Sequence, residues 1–174
     1  MDDLPNGVRV RRARMDELGS LGALVARSFR ALGRAHYAPS EIEGALEGAA
    51  IRVDAGLVAD GTYFVAERGG ALAGCGGWSA KHATAKGAPL PEQRAEVRAM
   101  FVDPDHARGG VGRALLDAAE RAIAQAGFDV AHLLATRSGV AFYERAGYEA
   151  FATHAVALPG GGSLEVICMR RRLA

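Results

Sequence analysis

Apolar residues recur at a helical spacing in the first quarter of the chain. Between residues 18 and 32 they return every three or four positions, which predicts a helix with one apolar face. The stripe consists of Leu18, Leu21, Val25, Phe29 and Leu32. We expect Asp16 to cap the start of this helix and Gly33 to end it. Ser40 and Glu43 form a capping-box pattern, which predicts a second helix from that point.

Short apolar or alternating runs between turn residues predict strands in the rest of the chain. Val8 and Val10 alternate with arginines, which indicates a short first strand. The other predicted strands cover residues 61–66, 72–78, 96–102, 130–134, 149–158 and 163–169. Residues 113–126 and 140–146 have helical patterns, and a glycine follows each. A hairpin, then strand–helix–strand–helix, then a second hairpin predicts an α/β domain with a mixed sheet.

Length and composition fit one globular unit. The chain has 174 residues, which is the length of a single domain, so we expect residues 1–174 to form one. Its 21 basic and 20 acidic residues nearly cancel, which gives no argument for binding to nucleic acid or to a membrane surface. The N-terminus lacks the apolar segment of a signal peptide, and no apolar run approaches a membrane span. These features predict a cytoplasmic protein.

The two cysteines lie in separate apolar runs. Cys75 and Cys168 are each predicted to be in a strand, so we expect buried free thiols, although a disulfide stays open. Neither cysteine, nor any of the five histidines, has the spacing of metal ligands. We therefore expect no metal.

The segment RAMFVDPDHARGGVGRALLD, residues 98–117, contains three glycines at the entrance of a predicted helix. A glycine inside a helix costs about 1 kcal/mol relative to alanine, so the backbone there must serve a purpose. The first N–H groups of a helix lack intrahelical partners, and a glycine-rich entry lets a bulky anion approach them. The pattern favours a phosphate or pyrophosphate site, with Arg108 and Arg113 adding positive charge.

Two other interpretations of these glycines are open. They can form a tight turn between strand and helix and bind nothing. A dinucleotide-binding fold is less consistent, because Gly110-Val111-Gly112-Arg113-Ala114-Leu115 lacks the third glycine and lies in the middle of the chain.

The wider segment MFVDPDHARGGVGRALLDAAERA resembles the acetyl-CoA motif of the GCN5-related N-acetyltransferase (GNAT) superfamily, Q/R-x-x-G-x-G/A. Gly110 and Gly112 match its two glycines, whereas Ala107 stands at its first position. A second segment, ATRSGVAFYERAGYEAF from Ala135 to Phe151, is similar to another conserved block of that family. The order of the predicted elements also matches, so the resemblance covers nearly the whole chain.

The resemblance implies a single-domain fold with a mixed, mostly antiparallel sheet, flanked by helices and opened by a splayed central strand pair. It implies an N-acetyltransferase that moves an acetyl group directly from acetyl-CoA to a primary amine. Met100, Phe101 and Val102 would bind the pantetheine arm, Met100 and Val102 through their backbone. The pyrophosphate would lie on the turn formed by Arg108, Gly109, Gly110, Val111, Gly112 and Arg113.

The same resemblance implies three roles for side chains. Tyr143 would be the general acid that protonates the departing thiolate, and Glu96 would be the base that takes the proton of the amine. Ser138 would contact the coenzyme. Two alternatives for Glu96 are a strand-edge carboxylate that pairs with Arg98, and a water chain that replaces a single base.

The acceptor cannot be read from the sequence. We expect a small-molecule amine, with a protein amine as the alternative, and no nucleic acid or membrane partner. The sequence is compatible with a homodimer as well as with a monomer. Transfer of another acyl group, or a coenzyme-binding regulatory domain without turnover, are alternative functions. Arg170, Arg171 and Arg172 are predicted to form a solvated tail, whereas Trp78 and His132 are predicted to lie in the core.

Overall fold

A computed structural model describes residues 7–48, 50–81 and 85–173. The strands in these ranges are β1 (Val8–Arg12), β2 (Tyr63–Arg68), β3 (Ala71–Ser79), β4 (Ala95–Val102), β5 (Val130–Thr136), β6 (Glu149–Ala157) and β7 (Ser163–Arg172). The helices are α1 (Leu18–Gly33), α2 (Pro39–Glu47), α3 (Ala55–Ala59), α4 (Val111–Gln125) and α5 (Val140–Arg145). Three short 3-10 turns accompany them, at Met15–Glu17, Pro104–His106 and Arg137–Gly139.

The strands form one sheet in the order β1-β2-β3-β4-β5-β7-β6. Every neighbouring pair is antiparallel except β4 and β5, which run parallel. These two strands pair only from Ala95 opposite Ala131 to Val97 opposite Leu133. Beyond Val97 they are no longer paired. The predicted mixed sheet with a splayed central pair is therefore confirmed.

Apolar side chains cover both faces of the sheet because strand residues alternate between faces. Leu21, Phe29 and Ile42 of α1 and α2 pack on the face that carries Tyr63 and Val65. Helices α4 and α5 pack on the other face of the sheet. This core includes Leu116 and Ile123 of α4, Tyr143 of α5, Leu133 of β5 and Met169 of β7. Both cysteines are buried and free, as predicted.

The starts of α1 and α2 differ from the sequence prediction. A 3-10 turn precedes α1, so Glu17 lies at its N-cap position, and the Asp16 carboxylate instead pairs with Arg14 Nε at 3.1 Å. Helix α2 begins at Pro39, whose fixed φ suits the first helical position. The carboxylate that accepts the backbone N–H of Ala38 at 2.7 Å therefore belongs to Glu41.

Ser40 and Glu43 consequently do not form a capping box. Ser40 lies within α2, and Glu43 pairs with Arg30 of α1 at 2.7 Å. Helix α3 was not predicted. Asp54 caps it, because its Oδ1 accepts the backbone N–H of Gly56 at 2.8 Å.

The prediction that residues 170–172 form a tail is wrong, although Arg170 and Arg172 are exposed to solvent as expected. These arginines continue β7 alongside β5, where Arg172 lies opposite Val130. The Arg171 guanidinium donates to Glu120 of α4 at 2.9 Å, and that of Arg170 lies 5.3 Å from the centre of the Phe151 ring. The strand ladder and these contacts order the segment. Trp78 and His132 are buried, as expected.

Candidate active site

The gap between β4 and β5 exposes backbone groups of β4. Asp103 N–H donates to Ala73 O of β3 at 2.9 Å, and backbone groups alternate in direction along a strand. The N–H and C=O groups of Met100 and Val102 must therefore point away from β3, towards the gap. The Ser28 hydroxyl donates to Val102 O at 2.7 Å, which agrees with this direction.

A bulge in β4 lies at the inner end of the gap. The register with β3 shifts between Cys75 and Gly77, and Ala99 adopts a left-handed φ of 47°. A non-glycine residue in that region costs on the order of 1–3 kcal/mol, so neighbouring groups must hold it. The buried Tyr63 hydroxyl donates to Ala99 O at 2.8 Å. Gly76 leaves room for Met100, because a Cβ there would overlap the Met100 thioether.

A cavity of about 410 Å³ lies at this gap and is lined from both faces of the sheet. On the face of α4 and α5, its wall includes Met100, Val102, Gly112, Phe142 and Tyr143. On the face of α1, its wall includes Ser28, Phe29, Leu32, Arg52, Asp54 and Arg98. Two reactants can therefore reach one point from opposite sides of the sheet.

The glycine-rich turn contains two residues with a left-handed backbone. Arg108 and Gly110 have φ values of 61° and 81°, and α4 begins at Val111 with no side-chain cap at Gly110. Val111 is buried in the core, and the Arg113 side chain pairs with Asp117 at 2.8 Å. Of these residues Gly112 lines the cavity, and a Cβ there would lie 3.4 Å from Phe142 and from Val102.

Tyr143 lies in the cavity wall, in the second half of α5. Its side chain is buried, and its ring contacts those of Phe142 and Tyr148 at centroid distances of 5.1 and 5.6 Å. A tyrosine phenol is protonated at neutral pH, and burial raises the pKa of Tyr143 further. Ser138 also lines the cavity, and its Oγ lies 3.1 Å from Thr136 Oγ1.

Glu96 is not among the residues that line the cavity. Its side chain is buried on β4, where Arg94 Nε lies 3.2 Å from its Oε2. The register places it opposite His132 of β5. It lies two residues before Arg98 on the strand, so the two share a face, but Arg98 pairs with Asp54 at 3.8 Å. The structure thus brings Tyr143, Ser138 and Arg98 to one cavity, with Tyr143 and Arg98 on opposite faces of the sheet, whereas Glu96 does not reach it.

Comparison with known proteins identifies the family. A sequence profile described as the acetyltransferase (GNAT) domain matches residues 59–150, which is more than half of the chain. The chain belongs to the GNAT family. The match includes the glycine-rich turn, the bulged strand β4 and Tyr143 of this GNAT domain. The comparison with curated protein sequences gives no match.

Solved structures share the fold of this GNAT chain at low sequence identity. A GCN5-related N-acetyltransferase from Rhodopseudomonas palustris is 20% identical, with a TM-score of 0.76 and 95% of each chain covered. The PaiA N-acetyltransferase from Thermoplasma acidophilum, in complex with coenzyme A, is 15% identical, with a TM-score of 0.69 over 95% of this chain and 99% of that one. A ribosomal-protein-alanine N-acetyltransferase from Brucella melitensis is 20% identical, with a TM-score of 0.64 over 95% and 99%. These likenesses show the fold.

Sequence reasoning missed three residues of the site. Arg52 and Asp54 reach the cavity from the segment before α3, a helix too short to give a periodic signal, although an Asp before Ala-Gly-Leu fits a helix cap. Arg68, at the end of β2, lies against the glycine turn, because a Cβ at Gly109 would overlap its guanidinium. No sequence signal links β2 to that turn.

Two absences concern the described residues of this GNAT chain. No cluster of three or more histidine, cysteine or acidic side chains there could hold a metal ion. None of the helices in those ranges combines the length and the apolar character that crossing a membrane requires.

Proposed function

We propose that this chain transfers the acetyl group of acetyl-CoA directly to a primary amine. The observation that carries the proposal is the cavity at the splayed gap, which has Met100, Val102 and Tyr143 on one side and Phe29, Arg52 and Asp54 on the other. Membership of the GNAT family and the coenzyme A complex of the PaiA enzyme support the choice of coenzyme.

The coenzyme would bind along the face of α4 and α5. Backbone groups of Met100 and Val102 would pair with the amides of the pantetheine arm, and Phe101 would pack beside the thioester end. The N–H groups of the turn from Arg108 to Arg113 would hold the pyrophosphate, since no side chain caps α4. Ser138 would contact the coenzyme from the opposite wall.

The reaction would proceed through a tetrahedral intermediate. The amine nitrogen attacks the thioester carbon, the C–N bond forms, and the carbonyl oxygen takes negative charge. A backbone N–H beside the bulge at Ala99 would stabilise this oxyanion. The C–S bond then breaks, and Tyr143 gives its proton to the leaving thiolate. Holding both reactants in one cavity would supply much of the rate.

The base in this proposal is Glu96, which takes the proton of the amine. Because Glu96 lies behind the cavity wall, the proton would reach it through a chain of water molecules. If so, Glu96→Gln lowers kcat at neutral pH by about 10²-fold or more, and the rate of the variant rises with pH as hydroxide replaces the base. Glu43→Gln is the control, because Glu43 forms an exposed pair with Arg30 and does not line the cavity, and it should leave kcat unchanged. If kcat depends on pH in the same way for Glu96→Gln and the wild type, Glu96 does not have this role.

The first test is the melting temperature with and without acetyl-CoA, with NADH and ATP as controls. A ligand at about 100 times its Kd stabilises the folded state by about 2.7 kcal/mol. For a domain of this size we expect Tm to rise by roughly 5–10 °C, selectively with acetyl-CoA. No rise would contradict the proposal. If acetyl-CoA binds but no amine causes the release of free thiol, the result would instead favour a regulatory domain. A larger rise in Tm with a longer acyl-CoA would indicate the transfer of a different acyl group.

A further inference from the structure

Arg68 meets the glycine-rich turn from a distant part of the sequence. It is the last residue of β2, and its register partner on β1 is Val8. Val8 packs in a core with Val111 and Leu115 of α4, so Arg68 lies on the face of the sheet that carries this helix. A Cβ on Gly109 would overlap the guanidinium of Arg68, which places that group against the turn.

The backbone of Gly109 does not require a glycine. Arg108 and Gly110 have φ values of 61° and 81°, whereas Gly109 between them has no left-handed φ. A Cβ there would overlap the Arg68 guanidinium and lie 3.2 Å from His106 O, so the glycine leaves room for both groups. The turn therefore accommodates a positive charge from another strand in place of a side chain of its own.

The charge of Arg68 is not neutralised by a neighbouring carboxylate. Glu67 lies on the opposite face of the sheet because side chains alternate along a strand, and there it pairs with Arg9 and Arg11 at 2.7 and 2.6 Å. Within the part of the chain that the structure describes, no acidic side chain forms an ion pair with Arg68. Its side chain is exposed, so the five N–H donors of the guanidinium are accessible to a ligand.

A pyrophosphate on this turn would meet donors of two kinds. The N–H groups of Gly110 to Arg113 lie in the first turn of α4, have no acceptors within the helix, and carry its partial positive charge. The Arg68 guanidinium adds a full charge, and its planar fork matches two phosphate oxygens. Ala107, at the first position of the acetyl-CoA motif, has no polar side chain to contribute. Arg68 thus brings to the turn a polar side chain that the motif position lacks.

We propose that Arg68 binds the pyrophosphate of acetyl-CoA and favours the complete coenzyme over a thioester that lacks this group. The inference rests on the proposed function, which places the pyrophosphate at this turn. The pyrophosphate keeps its charge throughout the reaction and takes no part in it. The interaction with Arg68 is therefore the same in the ground state and in the transition state, and its loss changes the affinity for acetyl-CoA rather than kcat.

Calorimetric titration with acetyl-CoA at low and at high salt tests this role. Arg68→Gln should raise the Kd about tenfold at low salt, as for the loss of a charge-assisted hydrogen bond, and less at high salt, because an exposed charge is screened. Arg68→Lys should keep part of the affinity, since it retains the charge without the fork. Arg9→Gln is the matched control, because it removes the same charge from the opposite face of the same strand pair, and it should leave the Kd unchanged.

Two analogues separate the pyrophosphate from the other contacts of the coenzyme. Acetyl-dephospho-CoA lacks the 3′-phosphate but keeps the pyrophosphate, so Arg68→Gln should weaken its binding by the same factor as that of acetyl-CoA. S-acetylpantetheine lacks every phosphate, so the wild type and Arg68→Gln should bind it equally. A variant that merely disturbed the fold would weaken the binding of all three ligands.

Three results would overturn the inference. Equal Kd values of the wild type and Arg68→Gln for acetyl-CoA would show that the guanidinium does not bind the coenzyme. A loss of affinity that disappears with acetyl-dephospho-CoA would place Arg68 at the 3′-phosphate. An equal loss with S-acetylpantetheine would assign Arg68 a structural role. In each case the Tm rise of the wild type with acetyl-CoA would stand by itself, whereas its absence would contradict the proposed function.

Discussion

At the scale of single residues, burial determines what Tyr143 and Glu96 can do. Both side chains are buried, but only Tyr143 lines the cavity. A tyrosine phenol carries its proton across the neutral range, and burial raises the pKa of Tyr143 further. Glu96 pairs with Arg94, which lies just before β4, and it does not line the cavity.

Removal of the Tyr143 hydroxyl tests the acid role. We expect Tyr143→Phe to lower kcat by roughly 100-fold, because general acid catalysis contributes on that scale, with little change in the Kd for acetyl-CoA. Steady-state kinetics and calorimetric titration measure the two quantities. Tyr148→Phe is the control, since its ring packs on Tyr143 but does not line the cavity. An unchanged kcat in Tyr143→Phe would assign protonation of the thiolate to another group.

At the scale of elements, the start of α4 and the bulge in β4 place the backbone where a coenzyme can use it. The turn at Gly110 leaves the first N–H groups of α4 without a side-chain cap, and Gly112 lies in the cavity wall beside Phe142 and Val102. The Tyr63 hydroxyl holds the bulge at Ala99 from the opposite face. Neither the turn nor the bulge involves a side chain that takes part in the reaction.

A negative charge at the start of α4 should exclude the pyrophosphate. We expect Gly112→Asp to weaken acetyl-CoA binding by 100-fold or more, on the order of the several charge-assisted contacts that it would disturb. The matched control is Gly112→Asn, which adds nearly the same volume without the charge. Titration calorimetry gives both affinities, and circular dichroism checks the fold. Equal affinities for the two variants would show that volume rather than charge decides binding at this turn.

Local patterns in the sequence predicted local structure well. The glycine turn, the helical periodicities and the apolar strands depend on near neighbours, and the structure has them. The starts of α1 and α2 were misplaced because neither predicted cap is used. A 3-10 turn at Met15–Glu17 precedes α1, and α2 begins at Pro39, so that Ser40 already lies inside the helix.

At the scale of the whole molecule, the site depends on contacts between distant parts of the chain. The bulge arises from the register of β4 against β3, and the charged wall arises where the segment before α3 meets β4. Arg68 meets Gly109 across forty residues of sequence. A single sequence carries no record of such register or proximity. Glu96 could therefore be placed on the correct strand but not relative to the cavity.

The first strand of the sheet is held by charges, which makes stability depend on pH. Arg11 of β1 donates to Glu17 at 2.6 Å and to Glu67 of β2 at 2.6 Å. The hydrogen bonds from Arg11 hold the pKa of Glu17 at about 2, below its ordinary value of 4.5. A carboxylate with a lowered pKa stabilises the folded state fully above 4.5, and this stabilisation is lost as pH falls towards 2.

We expect the free energy of unfolding of the wild type to decrease between pH 4.5 and 2, with Glu17 contributing on the order of 1–2 kcal/mol of the loss. Urea denaturation at several pH values measures it. Glu17→Gln should be less stable than the wild type at pH 6, and the two should converge near pH 2, because the protonated carboxyl and the amide are then equivalent in charge. Glu43→Gln is the control, since its pair with Arg30 is exposed at 53% and 50% and contributes little. A constant difference between Glu17→Gln and the wild type at every pH would mean that Glu17 acts through packing, and that β1 is held to the sheet by its ladder with β2 alone.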